Sequence, residues 1–151
     1  MPKINSAQKI APFLWFDGQA ADAAKFYTSI FKNSKIVGST PMISIFYLEG
    51  QKFMALNGGP NYKFTPAISF LVDCATQHEV DTLWAKLSRG GSIQQCGWLQ
   101  DKYGVSWQII PSILGELMND VDEEKSARVL QAMLKMTKIS IAGLKKAYVG
   151  R

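Results

Sequence analysis

Few side chains in this chain could perform covalent or acid–base chemistry. It has one histidine, His78, and two cysteines, Cys74 and Cys96, among 17 Lys/Arg and 12 Asp/Glu. A hydrolytic triad needs its histidine beside a nucleophile, and His78 falls in the first turn of a helix-patterned stretch. The cysteines match no metal-ligand spacing and are too few for a disulfide framework. A reactive thiol wants a nearby base or cation, and Cys96 sits between Gln95 and Gly97. Asp17, Asp73 and Asp101 close strand-like runs, where turn and capping roles dominate. No catalytic residue is assigned on residue type. The remaining candidates are aromatic, hydroxyl and amide side chains, whose chemistry is stacking and hydrogen bonding, and whose positions depend on the elements that carry them.

Ile10–Phe16 reads as a strand, with Asp17 as the expected N-cap of a helix whose apolar stripe is Ala23, Phe26, Tyr27 and Ile30, at i, i+3, i+4, i+7. Strand-like runs follow at Lys35–Gly38, Met42–Leu48 and Gln51–Asn57, the last two joined by Glu49-Gly50. The pattern then restarts. Ala67–Val72 is strand-like, and Thr76 with Glu79 forms a capping box. Val80, Leu83, Trp84 and Leu87 repeat the helical stripe, and Gly90-Gly91 end it. Strands are expected at Ser92–Cys96, Trp98–Asp101 and Val105–Ile110. The stripes are offset by 57 residues, which predicts two copies of a βαβββ unit, over 8–60 and 64–111, in a single α+β domain. After Pro111, helices are expected behind Asp120–Glu124, with Val129, Leu130, Met133, Leu134 and Met136 as an apolar face, and over Ser140–Tyr148. They form an appendage over 120–150.

Strand side chains alternate sides with period 2. One side collects Pro12, Leu14, Phe16, Met54, Leu56, Ile68, Phe70, Val72, Trp107 and Ile109, the expected core side beneath the helices. The other collects Ala11, Phe13, Trp15, Phe53, Ala55, Asn57, Ala67, Ser69, Leu71, Ser106, Gln108 and Ile110. A sheet curled around this second side would enclose an apolar cleft with a few polar orienting groups, the composition of a small-molecule site. A half-solvated sheet face is the alternative. The candidate ligand-binding residues are Phe13 and Trp15 for stacking, Asn57 and Gln108 for orientation, and Ser69 and Ser106 beside them.

The net charge of +5 is unevenly placed. Residues 1–124 carry a net −2, while 125–151 hold seven basic residues and no acid. The tail's charges alternate with apolar stripes and form no arginine-rich run, so a nucleic-acid partner is not expected. No apolar stretch approaches the roughly 20 residues that cross a bilayer, and the polar start of the chain lacks a signal-peptide core. A cytoplasmic setting without a membrane partner is the expectation.

The runs FLWFDGQA (13–20), GQKFMALNGGP (50–60), FTPAISF (64–70), CGWLQDKYGVSWQIIP (96–111) and ARVLQAMLKMTKI (127–139) together resemble the PhnB-like family of the vicinal oxygen chelate (glyoxalase/bleomycin-resistance) superfamily. Its members often carry the label 3-demethylubiquinone-9 3-methyltransferase. The resemblance implies paired βαβββ modules around a cavity, usually in a homodimer. Superfamily enzymes such as glyoxalase I hold a divalent metal with His, Glu or Gln from four strand positions, which map here to Ala11, Ala55, Ala67 and Gln108. Three alanines offer no donor atom, so neither a metal nor another cofactor is expected. Ligand sequestration, as in the superfamily's resistance proteins, is the alternative to a metal-free enzyme.

Overall fold

The computed structural model describes residues 8–150; the polar stretch before Gln8 and Arg151 of the basic tail lie outside the described residues. The chain divides into two compact units, Met1–Phe64 and Thr65–Arg151.

In the first unit, β1 (Phe13–Phe16), α1 (Ala20–Ile30), β2 (Lys35–Ser39), β3 (Ile43–Leu48) and β4 (Gln51–Asn57) build a four-stranded sheet of order β1-β4-β3-β2. β1 runs parallel to β4, and the other pairs are antiparallel. In the second unit, β5 (Ser69–Cys74), α2 (Gln77–Ser88), β6 (Ser92–Ile93), β7 (Trp98–Gln100) and β8 (Ser106–Pro111) repeat the order as β5-β8-β7-β6, again with the first strand parallel to the last. The α+β class and the doubled βαβββ plan read from the sequence are therefore present.

Each helix covers one side of its own sheet. α1 buries Ala20, Ala23, Ala24 and Tyr27 against β3, β2 and β4. Small alanines let its backbone approach the sheet, and Tyr27 stacks on Phe46, which stacks on Phe53, at centroid distances of 6.1 and 5.6 Å. α2 buries Val80, Leu83, Trp84 and Leu87, the stripe expected from the sequence. Its start is the expected capping box: Thr76 Oγ1 accepts from the Glu79 N–H at 3.2 Å, and Glu79 Oε2 accepts from the Ala75 N–H at 3.2 Å.

The start of α1 differs from expectation. Gln19, not Asp17, occupies the N-cap position and makes no side-chain cap. Asn57 at the end of β4 supplies the missing acceptor, its Oδ1 taking the Ala20 N–H at 2.8 Å. An orphan helix N–H accepts a cap from any suitably placed oxygen, and the parallel β1–β4 pairing sets Asn57 beside Phe16, where α1 begins.

After β8 come α3 (Ser112–Met118), α4 (Glu123–Leu134) and α5 (Ile141–Tyr148). α3 was not expected from the sequence. Asp122 caps α4 by accepting from the Glu124 and Lys125 N–H groups, and Ser140 caps α5 through the Gly143 N–H. The three helices share a core of Leu114, Val129, Ile139 and Leu144, against which Met133, Met136 and Tyr148 pack. Leu134, expected on the apolar face, is 49% exposed. The link from α4 to α5 is stitched to the βαβββ part of its own unit: Met136 and Thr137 carbonyls accept from the Cys96 and Gly97 N–H groups, and Gln77 holds the Ile139 carbonyl and the Ile141 N–H. Part of the tail's charge is used internally. Arg128 donates to the Ala147 and Tyr148 carbonyls, Lys138 pairs with Asp81 at 2.9 Å, and Lys125 lies over the Tyr148 ring. No helix among the described residues is long and apolar enough to cross a membrane.

Candidate functional site

The side of each sheet away from its own helix, here called its open face, is the candidate surface, and the strand register decides which side chains stand there. In the first sheet Phe13 pairs with Met54 and Trp15 with Leu56, while Leu14 pairs with Ala55 and Phe16 with Asn57. Paired residues in a ladder share a side. Leu14, Phe16, Phe53 and Ala55 are buried on the helix side, so the open face carries Phe13, Trp15, Met54 and Leu56, joined from β3 by Ile43 and Ile45. This corrects the sequence reading of β4, which put Phe53, Ala55 and Asn57 on the face of Phe13 and Trp15. Asn57 is held on the other side, where its Nδ2 also donates to the Pro41 carbonyl at 2.9 Å.

Trp15 is fixed. Its Nε1 donates to the Gly59 carbonyl at 2.9 Å, and Tyr62 meets its ring edge-on at 5.0 Å. Gly58 passes directly against the indole: a Cβ there would lie 2.3 Å from Trp15 Cζ2, so only glycine lets the β4–β5 connection follow this path. Phe13 and Tyr62 are 52% and 68% exposed, which makes the end of this face an aromatic shelf with one immobilised ring.

In the second sheet the expected sides hold. Phe70, Val72, Trp107 and Ile109 face α2, while Ser69, Leu71, Ser106 and Gln108 occupy the open side, with Trp98 and Gln100 opposite Gln108 and Ser106. Gln108 Nε2 donates to Ser69 Oγ at 2.9 Å. Ser106 is buried, and its Oγ has no hydrogen-bond partner among the described residues. The hairpin that presents Gln100 and Ser106 is locked by Asp101. Its buried carboxylate accepts from the Tyr103 N–H (2.8 Å), the Val105 N–H (3.1 Å) and Trp107 Nε1 (2.9 Å). Within each unit the candidates fall together: Phe13 with Trp15, and Ser69, Ser106 and Gln108 as one cluster. Sequence reasoning had left Asp101 in a turn role and missed its bond to Trp107. The D-x-x-x-V-x-W spacing around the turn was the available signal.

The side chains do not fit a divalent metal. Ala55 lies fully buried on the helix side, and Ala11 and Ala67 lie outside the strands. The correctly registered β4 positions are Met54 and Leu56. Hard divalent ions need several carboxylate, carbonyl or imidazole donors. Among the described residues, no three His, Cys, Asp or Glu side chains come close enough to share an ion. Thiol chemistry is equally unsupported at Cys74: it is buried, and burial, with Glu79 and Asp73 adding to it, pushes its pKa up to about 12. The folded state thus keeps its proton where an unfolded thiol has lost it. This thiol's contribution to stability is complete below the ordinary value of 9.0 and declines as pH rises toward about 12. His78 is exposed on α2, on the helix side of the second sheet.

The glycine pairs do not form a nucleotide turn. Gly58-Gly59 joins β4 to β5 and Gly90-Gly91 joins α2 to β6, so neither leads from a strand into a helix, as dinucleotide-type phosphate turns do.

Comparison with known proteins gives these features a family. The family model for 3-demethylubiquinone-9 3-methyltransferase matches residues 8–110. The match ends before α3, so the tail run 127–139 lies beyond it. A PhnB protein of Bacillus cereus bearing the same methyltransferase label is 40% identical, with a TM-score of 0.64, over 69% of this chain and 99% of its own. The fold is shared with the fosfomycin resistance protein FosX of Listeria monocytogenes, solved with Mn(II) and sulfate, at 14% identity and a TM-score of 0.54 over 70% of this chain and 90% of that one. It is also shared with a glyoxalase/bleomycin resistance protein of Albidiferax ferrireducens, at 12% identity and a TM-score of 0.50 over 67% and 95%. No protein of curated function matches the chain. The chain belongs to the 3-demethylubiquinone-9 3-methyltransferase family of PhnB-like proteins.

Proposed function

We propose that this protein binds a small organic molecule on the face of its first sheet that carries Phe13 and Trp15, without a metal ion. The observation that carries this reading is the aromatic shelf of the first sheet, where Trp15 is held by the Gly59 carbonyl beside exposed Phe13 and Tyr62. A rigid ring costs little entropy when a ligand stacks on it, and exposed apolar surface of this kind marks binding sites. Trp15 and Phe13 stack the apolar part of the ligand on the first sheet, while Ser69, Ser106 and Gln108 form a separate polar cluster within the second unit. FosX is described with Mn(II), but Gln108 is the single donor at the mapped positions of this chain, and one amide does not hold a divalent ion, which supports a reading without metal-assisted chemistry. The methyltransferase label is taken as the family's name rather than as an activity. A homodimer in the cytoplasm is the expected setting, with exposed Val121, Leu134 and Val149 of the helical appendage as candidate dimer contacts.

The test is a thermal-shift screen of the full chain against fractionated metabolites, run with a chelator present, with bound compounds identified by native mass spectrometry. A ligand at about 100 times its Kd stabilises the folded state by about 2.7 kcal/mol, a clear rise in Tm. Trp15→Ala should remove that rise. Failure of any compound to bind, or binding abolished by the chelator, overturns the reading.

A further inference from the structure

We propose that the molecule held on the first sheet is an organic anion, with its apolar body on Phe13 and Trp15 and its charged group between Lys52 and Lys35; this rests on the small-molecule reading above. The strand register places these side chains on one face. Lys35, Tyr47 and Lys52 form one row across β2, β3 and β4. Ile45, Met54 and Phe13 form the next row, and Ile43, Leu56 and Trp15 the one beyond. Two rows are apolar or aromatic, and the third carries two ammonium groups with a phenol between them. No acidic side chain stands at any position of the three rows.

Neither lysine spends its charge within the protein. Lys35 and Lys52 form no ion pair with an acid among the described residues, where Lys138 pairs with Asp81. Glu49, the nearest acid in sequence to Lys52, sits in the β3–β4 turn and pairs with neither. Lys35 lies on the edge strand β2, where a charge also discourages pairing with other chains. That purpose does not extend to Lys52. β4 lies inside the sheet, between β1 and β3, so Lys52 has no edge to guard, and it stands half-buried beside an apolar row. Its backbone is anchored by Gln8, whose Nε2 donates to the Lys52 carbonyl at 3.1 Å and whose Oε1 accepts from the Lys52 N–H at 3.0 Å.

The spacing selects the shape of the anion. The lysine row is two residues along the strands from the Phe13 row, about 7 Å, and four from the Trp15 row, about 13 Å, at the usual strand rise. Lys35 and Lys52 are two strands apart, about 10 Å between their backbones, a gap that two flexible stems can close onto one anion. A ring stacked on Phe13 therefore reaches the lysines through a short chain of methylenes. An anion shared by two ammonium groups gains attraction from both, a neutral group gains little, and a cation is repelled.

The experiment titrates the full chain at low ionic strength with 4-phenylbutanoate and, separately, with 4-phenylbutanamide and 4-phenylbutylamine, which keep the ring and change the charge. Two-dimensional NMR follows the Trp15 indole N–H and the Tyr47 and Lys52 amides. 4-Phenylbutanoate is expected to move all three signals and to bind about tenfold more tightly than the amide, an advantage that about 0.5 M salt removes. Lys35→Gln and Lys52→Gln together should bring the acid to the level of the amide. Lys63→Gln, beside Tyr62 in the β4–β5 connection, should leave the advantage intact. Equal affinity for acid and amide, tighter binding of the amine, an advantage that survives the double substitution, or one removed by Lys63→Gln overturns the proposal. Should the amide or the amine still move the Trp15 signal, the small-molecule reading stands while the anion assignment falls. No response to any of the three probes also overturns the proposal, and the small-molecule reading falls with it only if the metabolite screen is empty as well.

Discussion

Asp101→Ala is expected to be among the most damaging single substitutions in the second unit, lowering its stability by about 3–5 kcal/mol. Its carboxylate satisfies three N–H donors, two of the bonds fully buried. Truncation leaves the Val105 N–H and Trp107 Nε1 without an acceptor in a region that water does not reach. Asp101→Asn separates the contributions. The amide oxygen can keep the two turn N–H groups, but its NH2 meets another donor at Trp107 Nε1, so a loss of about 1–2 kcal/mol is expected. Denaturant unfolding of the two variants beside the wild type checks both values. Equal stability of all three would show that the carboxylate does not organise the hairpin. The consequence reaches the site, because this hairpin carries Trp98, Gln100, Ser106 and Gln108.

The second large effect is expected at Gly58. In Gly58→Ala the new methyl group would stand 2.3, 2.4 and 2.5 Å from Trp15 Cζ2, Cε2 and Cη2, far inside van der Waals contact, and a ring tied at Nε1 cannot simply slide away. Either the indole leaves the Gly59 carbonyl or the connection shifts. Overpacking of this kind costs about 1–3 kcal/mol. The accompanying change is functional: freeing the ring removes the preorganised shelf, so ligand-induced stabilisation at Trp15 should fall by more than the stability loss alone explains. Gly59→Ala is a useful contrast. Nothing lies within 4 Å of a Cβ there, and the penalty comes from its φ of +94° alone. Near-UV circular dichroism and melting of the two variants distinguish the cases. An unperturbed Trp15 signal in Gly58→Ala would contradict the cradle.

The doubled topology was legible because each copy repeats an apolar strand, a helical stripe and three further strands. α2 was read correctly to its capping box, since Thr76 and Glu79 act within one turn of chain. β4 was not legible. Its apolar residues fall on both sides, and a period of 2 in such a strand fixes two sets without saying which is buried. Asn57 then looked like a ligand group because it is polar, whereas the parallel pairing with β1 assigns it to the start of α1. That pairing joins residues about 40 positions apart, beyond any local signal. α3 escaped notice because Pro111 ends β8 and takes the N-cap position of the next helix, leaving no separating turn. For the candidate site, Trp15, Phe13 and the Ser69–Ser106–Gln108 group could be named from alternation alone. The unpaired state of Ser106 Oγ depends on three-dimensional packing and could not.

The absence of metal donors was read from three alanines, two of which lie outside the strands and one on the helix side. The register replaces them with Met54 and Leu56 on the face of Phe13 and Trp15, side chains that offer no oxygen or nitrogen donor. The account therefore turns on whether this protein binds its small molecule without a metal. Elemental analysis of the full chain, purified without chelator and incubated with excess Mg, Mn, Ni or Zn before desalting, tests that directly. The expected result is a substoichiometric metal content for every ion, with the ligand-induced rise in Tm unchanged. A tightly held, stoichiometric divalent ion that the ligand requires would contradict it.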